Sequence, residues 1–269
     1  MRIEEKFKQL KARKEGALIA YICAGDPTPL NTKEYVTALV RGGADIIELG
    51  LAFSDPVADG PTIQAGIQRA LDGGMTPDIY FRTIASLKLH IPLVVMTYYN
   101  LIFKRGLEKF AKDCAASGIS GIIVPDLPPE ESDELQQVCK ENEIDLIYLV
   151  APTTTEERMN RILKEGTGFI YLVARLGVTG VRSDVAGSTR ELIERVKTST
   201  PKAVGFGISN GKQAAQIIRA GADGVIVGSA FVDIIAKGED VPALLEALAR
   251  ELKQGAVAGK SSSQENRTF

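Results

Sequence analysis

RGGADIIELG (41–50), ASGISGIIVPD (116–126) and RAGADGVIVGS (219–229) are three copies of one local design: a helix-ending glycine, a short link and an apolar run. Glycine closes the helix because it adopts left-handed backbone without a steric cost. The run that follows is apolar on successive residues rather than alternate ones, the pattern of a strand buried on both faces of a parallel sheet. A repeated helix–link–strand unit is the element from which α/β folds are built.

Working outward from these copies, further β-branched runs complete a series of eight: ALIAYIC (17–23), ADIIELG (44–50), PLVVMTY (92–98), GIIVP (121–125), DLIYLV (145–150), GFIYLV (168–173), KAVGFG (202–207) and DGVIVG (223–228). Amphipathic segments separate them. Phe103, Leu107, Phe110, Ala111 and Cys114 recur at spacings of three and four, which puts them on one helix face. Ser209 is read as the N-cap, and Gly221 as the stop, of a helix carrying Ala214, Ile217 and Ile218. Eight such units favour a closed (β/α)8 TIM barrel over a doubly wound open sheet, and no GxGxxG follows the first strand. The charged opening, MRIEEKFKQLKARKEG, is expected to be an extra N-terminal helix covering the barrel bottom. One barrel domain is expected over residues 1–255. The small and polar remainder, 256–269, is expected to be a disordered tail.

Composition narrows the function. A chain of 269 residues, 45% hydrophobic and 25% charged, has enough apolar material for one large core. Its net charge of −2, with basic residues dispersed, offers no footprint for nucleic acid or an anionic membrane. Cys23, Cys114 and Cys139 form no CxxC pair and sit in apolar runs, as buried free thiols of a cytoplasmic protein do. The opening segment lacks a signal peptide's apolar core, so a soluble, intracellular protein is expected. The single histidine, His90 in KLHIP, reads as a solvated loop residue, which leaves no histidine-based metal site.

Barrel active sites form at the carboxyl ends of the strands. Glu48 stands there in strand two, either as a half-buried general acid/base with a raised pKa or as a carboxylate satisfied by backbone donors. The loop behind it holds Asp55, Pro56, Asp59, Gly60 and Pro61. Asp59 there is either part of a site or an N-cap for a helix starting near Thr62. GFGIS (205–209) after strand seven, and GSAFVDII (228–235) after strand eight, have the glycines and short helix that cradle phosphate in such barrels. The long stretch after strand six, ARLGVTGVRSDVAGSTR (174–190), has the length of a lid whose Gly180 amide could reach a ligand.

ELGLAFSDPVADGPTIQ (48–64), RLGVTG (175–180), GFGIS and GSA, with AYICAGDP (20–27) earlier, together resemble the tryptophan synthase α subunit family, from the first helix to about residue 250. SDPxADGPxIQ is specific to that family; the glycine loops are shared by many barrels. The resemblance implies Glu48 and Asp59 as the catalytic carboxylates and Gly180, Gly207, Gly228 and Ser229 as the phosphate-binding positions. It also implies Tyr171 and Phe206 beside an indole, and Arg175 and Thr179 in the lid. Ala52 and Asp55 fall in the loop that meets a β subunit in that family. Ala52 stands where many relatives have proline, and Leu176 where they have alanine.

The implied reaction is retro-aldol cleavage of indole-3-glycerol phosphate to indole and glyceraldehyde 3-phosphate, a lyase step of tryptophan biosynthesis. No strand-end lysine for a Schiff base and no histidine cluster for zinc is evident, so the indole ring itself must act as electron sink. The resemblance implies no metal or organic cofactor in this chain, pyridoxal phosphate in the β partner, and an αββα heterotetramer. Two rivals share the fold: a standalone enzyme releasing indole or isomerising another phosphosugar, and a regulatory subunit without turnover.

Overall fold

The computed structural model describes residues 1–173, 187–205 and 207–265. Its strands are β1 (Ala17–Cys23), β2 (Ile46–Gly50), β3 (Leu93–Met96), β4 (Ile119–Ile123), β5 (Asp145–Ile147), β6 (Leu149–Val150), β7 (Ile170–Val173), β8 (Lys202–Gly205) and β9 (Gly224–Val227). Every pairing is parallel, in the order β5-β4-β3-β2-β1-β9-β8-β7-β6. The helices are α1 (Ile3–Arg13), α2 (Asn31–Arg41), α3 (Pro61–Asp72), α4 (Pro77–Ala85), α5 (Tyr99–Arg105), α6 (Leu107–Ala116), α7 (Asp133–Glu141), α8 (Glu156–Glu165), α9 (Gly187–Arg195), α10 (Gly211–Arg219), α11 (Ser229–Lys237) and α12 (Val241–Glu265). This is the expected β/α barrel.

The fifth expected strand, 145–150, is interrupted at Tyr148, so that nine segments replace eight runs. Its first half pairs with β4 and its second with β7, which joins the two ends of the sheet order. Tyr148 is buried at this change of partner: its carbonyl accepts the Tyr171 amide at 3.0 Å, and its hydroxyl lies 2.6 Å from that of Ser132.

Inward-facing residues of alternate parity fill the barrel: Ala17 and Ile19, Ile46, Val94, Ile123, Ile147, Phe169, Ala203 and Ile226. Ile3, Phe7 and Leu10 of α1 join the same cluster, spaced so that one helix face plugs the barrel bottom as expected. Gly121 makes room for the plug, since a Cβ there would sit 2.8 Å from Ile3 Cδ1 and 2.9 Å from Ile147 Cδ1. Strand residues of the other parity, with the helices, form the outer core. His90 is exposed, and the three cysteines are buried and free. No helix among the described residues is long and apolar enough to cross a membrane.

Two local expectations change. The cap of α10 is Asn210, whose side chain accepts the Gln213 amide at 3.0 Å, while Ser209 donates to the Gln213 side chain instead. Helix α12 extends through Glu265, past the boundary expected at 255. Leu245, Ala249, Leu252 and Ala256 lie on its buried face. The glycines of this helix form a close-packing surface: a Cβ on Gly255 would lie 2.0 Å from the Gly211 carbonyl oxygen, and one on Gly259, within the segment expected to be a tail, 2.6 Å from that of Ala215. Lys253 bridges Asp45 and Glu15, each at 2.9 Å, and Lys260 reaches Asp223 at 3.0 Å.

Because the clash at Gly255 is with backbone, side-chain rearrangement cannot relieve it. Gly255→Ala is therefore expected to lower unfolding free energy by about 2–3 kcal/mol, measured by urea denaturation. A midpoint equal to the parent's would mean that α12 is not seated on α10.

Candidate active site

The parity that fills the barrel also decides what reaches its upper end. Along β2, Ile46 points into the core, and Glu48, two residues on, points the same way one layer higher. Glu48 sits opposite Tyr21 of β1 and Val94 of β3 and is 1% exposed. Its Oε2 has no hydrogen-bond partner among the described residues, so the reading in which backbone donors satisfy this carboxylate finds no support there. Burial first, and the charge of Asp59 second, push its pKa from 4.5 to about 8. Glu48 therefore holds a proton at neutral pH.

Asp59 ends the loop between β2 and α3. Its carboxylate does not cap α3: Gly60 occupies the cap position and Pro61, lacking an N–H, opens the helix. Asp59 Oδ2 accepts instead a hydrogen bond of 2.5 Å from the Tyr98 hydroxyl, and its backbone carbonyl accepts from Gln64 Nε2 at 2.7 Å. Burial raises the Asp59 carboxyl above its usual range, and the Tyr98 hydrogen bond opposes that shift.

Both carboxylates line a cavity of about 490 Å³ together with Tyr21, Tyr171, Gly207, Gly228 and Ser229. Apolar side chains, among them Ile63, Ile123, Leu149 and Ile226, supply much of the remaining wall, which also includes Ser209 and Asp233. Glycines at the strand ends admit the phenols: a Cβ on Gly50 would lie 2.4 Å from the Tyr21 hydroxyl, and one on Gly205 2.5 Å from that of Tyr171. Gly207 has φ +77°, which favours glycine. Gly228 precedes α11 without a side-chain cap, while Phe231 and Val232 turn their amides back to its carbonyl. The amides of Ser229 and Ala230 thus head the helix at the cavity wall, a position suited to an anion.

Of the positions singled out in the sequence, Glu48, Asp59, Tyr171, Gly207, Gly228 and Ser229 come together around one cavity. Arg175, Thr179, Gly180 and Phe206 lie outside the described residues. In the 51–60 loop, Asp55 is exposed and accepts from the Ser54 hydroxyl. Ala52, by contrast, is 6% exposed and packs in the outer core. The loop's solvent-facing apolar side chain is Val57, 80% exposed; Phe103 on α5 is 66% exposed. Tyr21 and Tyr98 were missed by sequence reasoning. Tyr21 shares the inward parity of Ala17 and Ile19, and Tyr98 closes the PLVVMTY run, so strand-end inspection extended to phenols would have found both.

Residues 7–259 match the family described as tryptophan synthase alpha chain. The tryptophan synthase alpha chain of Methanosarcina mazei is 61% identical over 254 residues, covering 94% of this chain and 94% of that one. That of Gloeobacter violaceus is 49% identical over 259 residues, again covering 94% of each. Among solved structures, tryptophan synthase from M. tuberculosis, in an open form with BRD0059 bound, matches with a TM-score of 0.86 at 37% identity, covering 95% of this chain and 98% of that one. A tryptophan synthase complex from Pyrococcus furiosus matches with a TM-score of 0.82 at 37% identity, covering 88% and 98%.

The burial of Glu48 has a consequence for stability. The folded chain keeps a proton on this carboxyl up to about pH 8, whereas an ordinary carboxyl releases it near 4.5. Its contribution to stability is therefore fully present below pH 4.5 and lost as the pH rises towards 8. Glu48→Gln removes the titration, so its melting temperature should match the parent's in acid and exceed it by roughly 5 °C or more at high pH. Thermal melts across that range check this; a difference independent of pH would contradict the buried, unpaired carboxyl.

Proposed function

Because the chain belongs to the tryptophan synthase alpha chain family, a family of lyases, we propose that this cavity cleaves indole-3-glycerol phosphate to indole and glyceraldehyde 3-phosphate, with Glu48 as acid and base. The observation that carries this reading is a carboxyl kept protonated at neutral pH by burial, aimed with Asp59 into a largely apolar cavity. Protonated Glu48 delivers its proton to C3 of the indole ring, which becomes a cation. The resulting carboxylate takes the proton of the adjacent side-chain hydroxyl, and that carbon becomes the aldehyde of the triose phosphate. The electron pair of the breaking carbon–carbon bond returns to the ring and neutralises it, so Glu48 ends as it began. Asp59 accepts a hydrogen bond from the ring N–H and stabilises the positive charge of the intermediate.

The remaining assignments follow the same reading. Gly207, Gly228 and Ser229, with Gly180 from the lid segment, hold the phosphate through backbone amides and one hydroxyl. Tyr171 and Phe206 border the indole, and Arg175 and Thr179 belong to the lid. The partner is a pyridoxal-phosphate-dependent β subunit in an αββα assembly of the cytoplasm, which consumes the indole. Exposed Val57, in the loop after β2, and exposed Phe103, on α5 after β3, supply an apolar docking face for that subunit. Ala52 acts from beneath that face by packing the loop.

Two measurements test these assignments. Glu48→Gln should retain glycerol phosphate binding but lose at least ~10²-fold in kcat for indole release. In the parent, kcat/KM should fall as pH rises above about 8, because the proton donor is then ionised. Near-parental turnover in the variant would remove Glu48 from the mechanism. Titration of a cognate β subunit should raise cleavage with saturation near equal subunit ratio, and Phe103→Asp should weaken that response by about tenfold in β-subunit affinity. Full activity without a partner and no response to one would favour a standalone lyase.

A further inference from the structure

Tyr98 is 3% exposed at the head of α5 and makes two hydrogen bonds through one phenol: its oxygen accepts the Ala58 amide at 3.0 Å, and its O–H donates to Asp59 Oδ2 at 2.5 Å. Its position is fixed from three sides. The ring packs on Phe53 with centroids 5.3 Å apart, the Tyr98 carbonyl accepts the Leu101 amide at 3.1 Å, and the neighbouring Tyr99 amide donates to Asp126 at 2.9 Å. The phenol thus spans from the barrel's third strand to the catalytic loop, and grips that loop at two successive residues.

We propose that Tyr98 is a positioning residue for Asp59, holding its carboxylate over the cavity and helping to set its state of ionisation. The proposal rests on the catalytic reading of Asp59. Three features support it. Among the described residues, the Tyr98 hydroxyl is the only group donating to the Asp59 carboxylate. The Ala58 amide orients the phenol oxygen so that its single proton points at Asp59. A hydrogen bond to the ionised form stabilises that form against the burial that disfavours it. Without Tyr98, Asp59 would rotate within its loop and hold its proton to higher pH, leaving less of the carboxylate that receives the ring N–H.

The geometry further connects the cavity to the surface. Tyr99, next in the chain, packs its ring 6.2 Å from that of exposed Phe103, and Val57 lies two residues before Asp59.

The test is Tyr98→Phe, which keeps the packed ring and removes only the hydroxyl. With indole-3-glycerol phosphate as substrate, kcat should fall by about tenfold or more with KM changed less than about twofold. The acid limb of kcat/KM should move up by about one pH unit. Unchanged glycerol phosphate affinity would report that the barrel is intact. A purely structural role would not move the acid limb. The second arm repeats the substitution in Asp59→Asn, where it should have little further effect. An unaltered acid limb, or a kcat loss that persists undiminished in the Asp59→Asn background, overturns the proposal while leaving Asp59's role standing. Full turnover by Asp59→Asn alone would reject the catalytic reading and this proposal with it.

Discussion

Strand parity is the constraint on which the molecule depends. In a closed parallel barrel every second residue of each strand faces inward, so a register that stacks apolar side chains in the lower layers also selects what stands at the top. Ala17 and Ile19 lead to Tyr21, Ile46 to Glu48, Phe169 to Tyr171, and Ile226 to Gly228. A shift of one residue in any of these strands would expel a core side chain and the corresponding cavity residue together. The same arithmetic explains the end of the fifth run, where Ile147 and Leu149 both face inward across the change of pairing at Tyr148.

Parity is local, and so most of it was legible in the sequence. Repeated glycine-link-strand units gave the βα order, and the apolar spacing of Ile3, Phe7 and Leu10 gave a helix with a face to bury. The carboxylates were legible in two ways: Glu48 by its place at a strand end, and Asp59 by resemblance of its loop to a known family. What escaped depends on neighbours distant in sequence. Gly259 read as part of a loose tail because its purpose, like that of Gly255, is set by backbone some forty residues earlier in the chain, at Ala215 and Gly211. That the Ala52 methyl group packs in the outer core also depends on side chains outside its own loop. The Tyr98 to Asp59 bond joins residues 39 apart, and no short motif announces it.

Carboxylates at the two ends of the barrel have different surroundings. At the lower end, Asp45 accepts the Leu18 amide at 2.9 Å and the Lys253 ammonium at 2.9 Å. Asp223, at the matching place in the last repeat, accepts the Lys202 amide at 3.1 Å and the Lys260 ammonium at 3.0 Å. Both lysines come from α12, so one helix pairs with the same position in two repeats. At the upper end Glu48 Oε2 has no hydrogen-bond partner among the described residues, and burial keeps the carboxyl protonated. A lysine beside it would favour the ionised form of Glu48 and remove the proton that the proposed mechanism uses. At the same end Asp26, just past β1, is paired with Arg69 at 2.6 Å, so among the buried carboxyls near the mouth it is Glu48, facing the cavity, whose surroundings a bound substrate would complete.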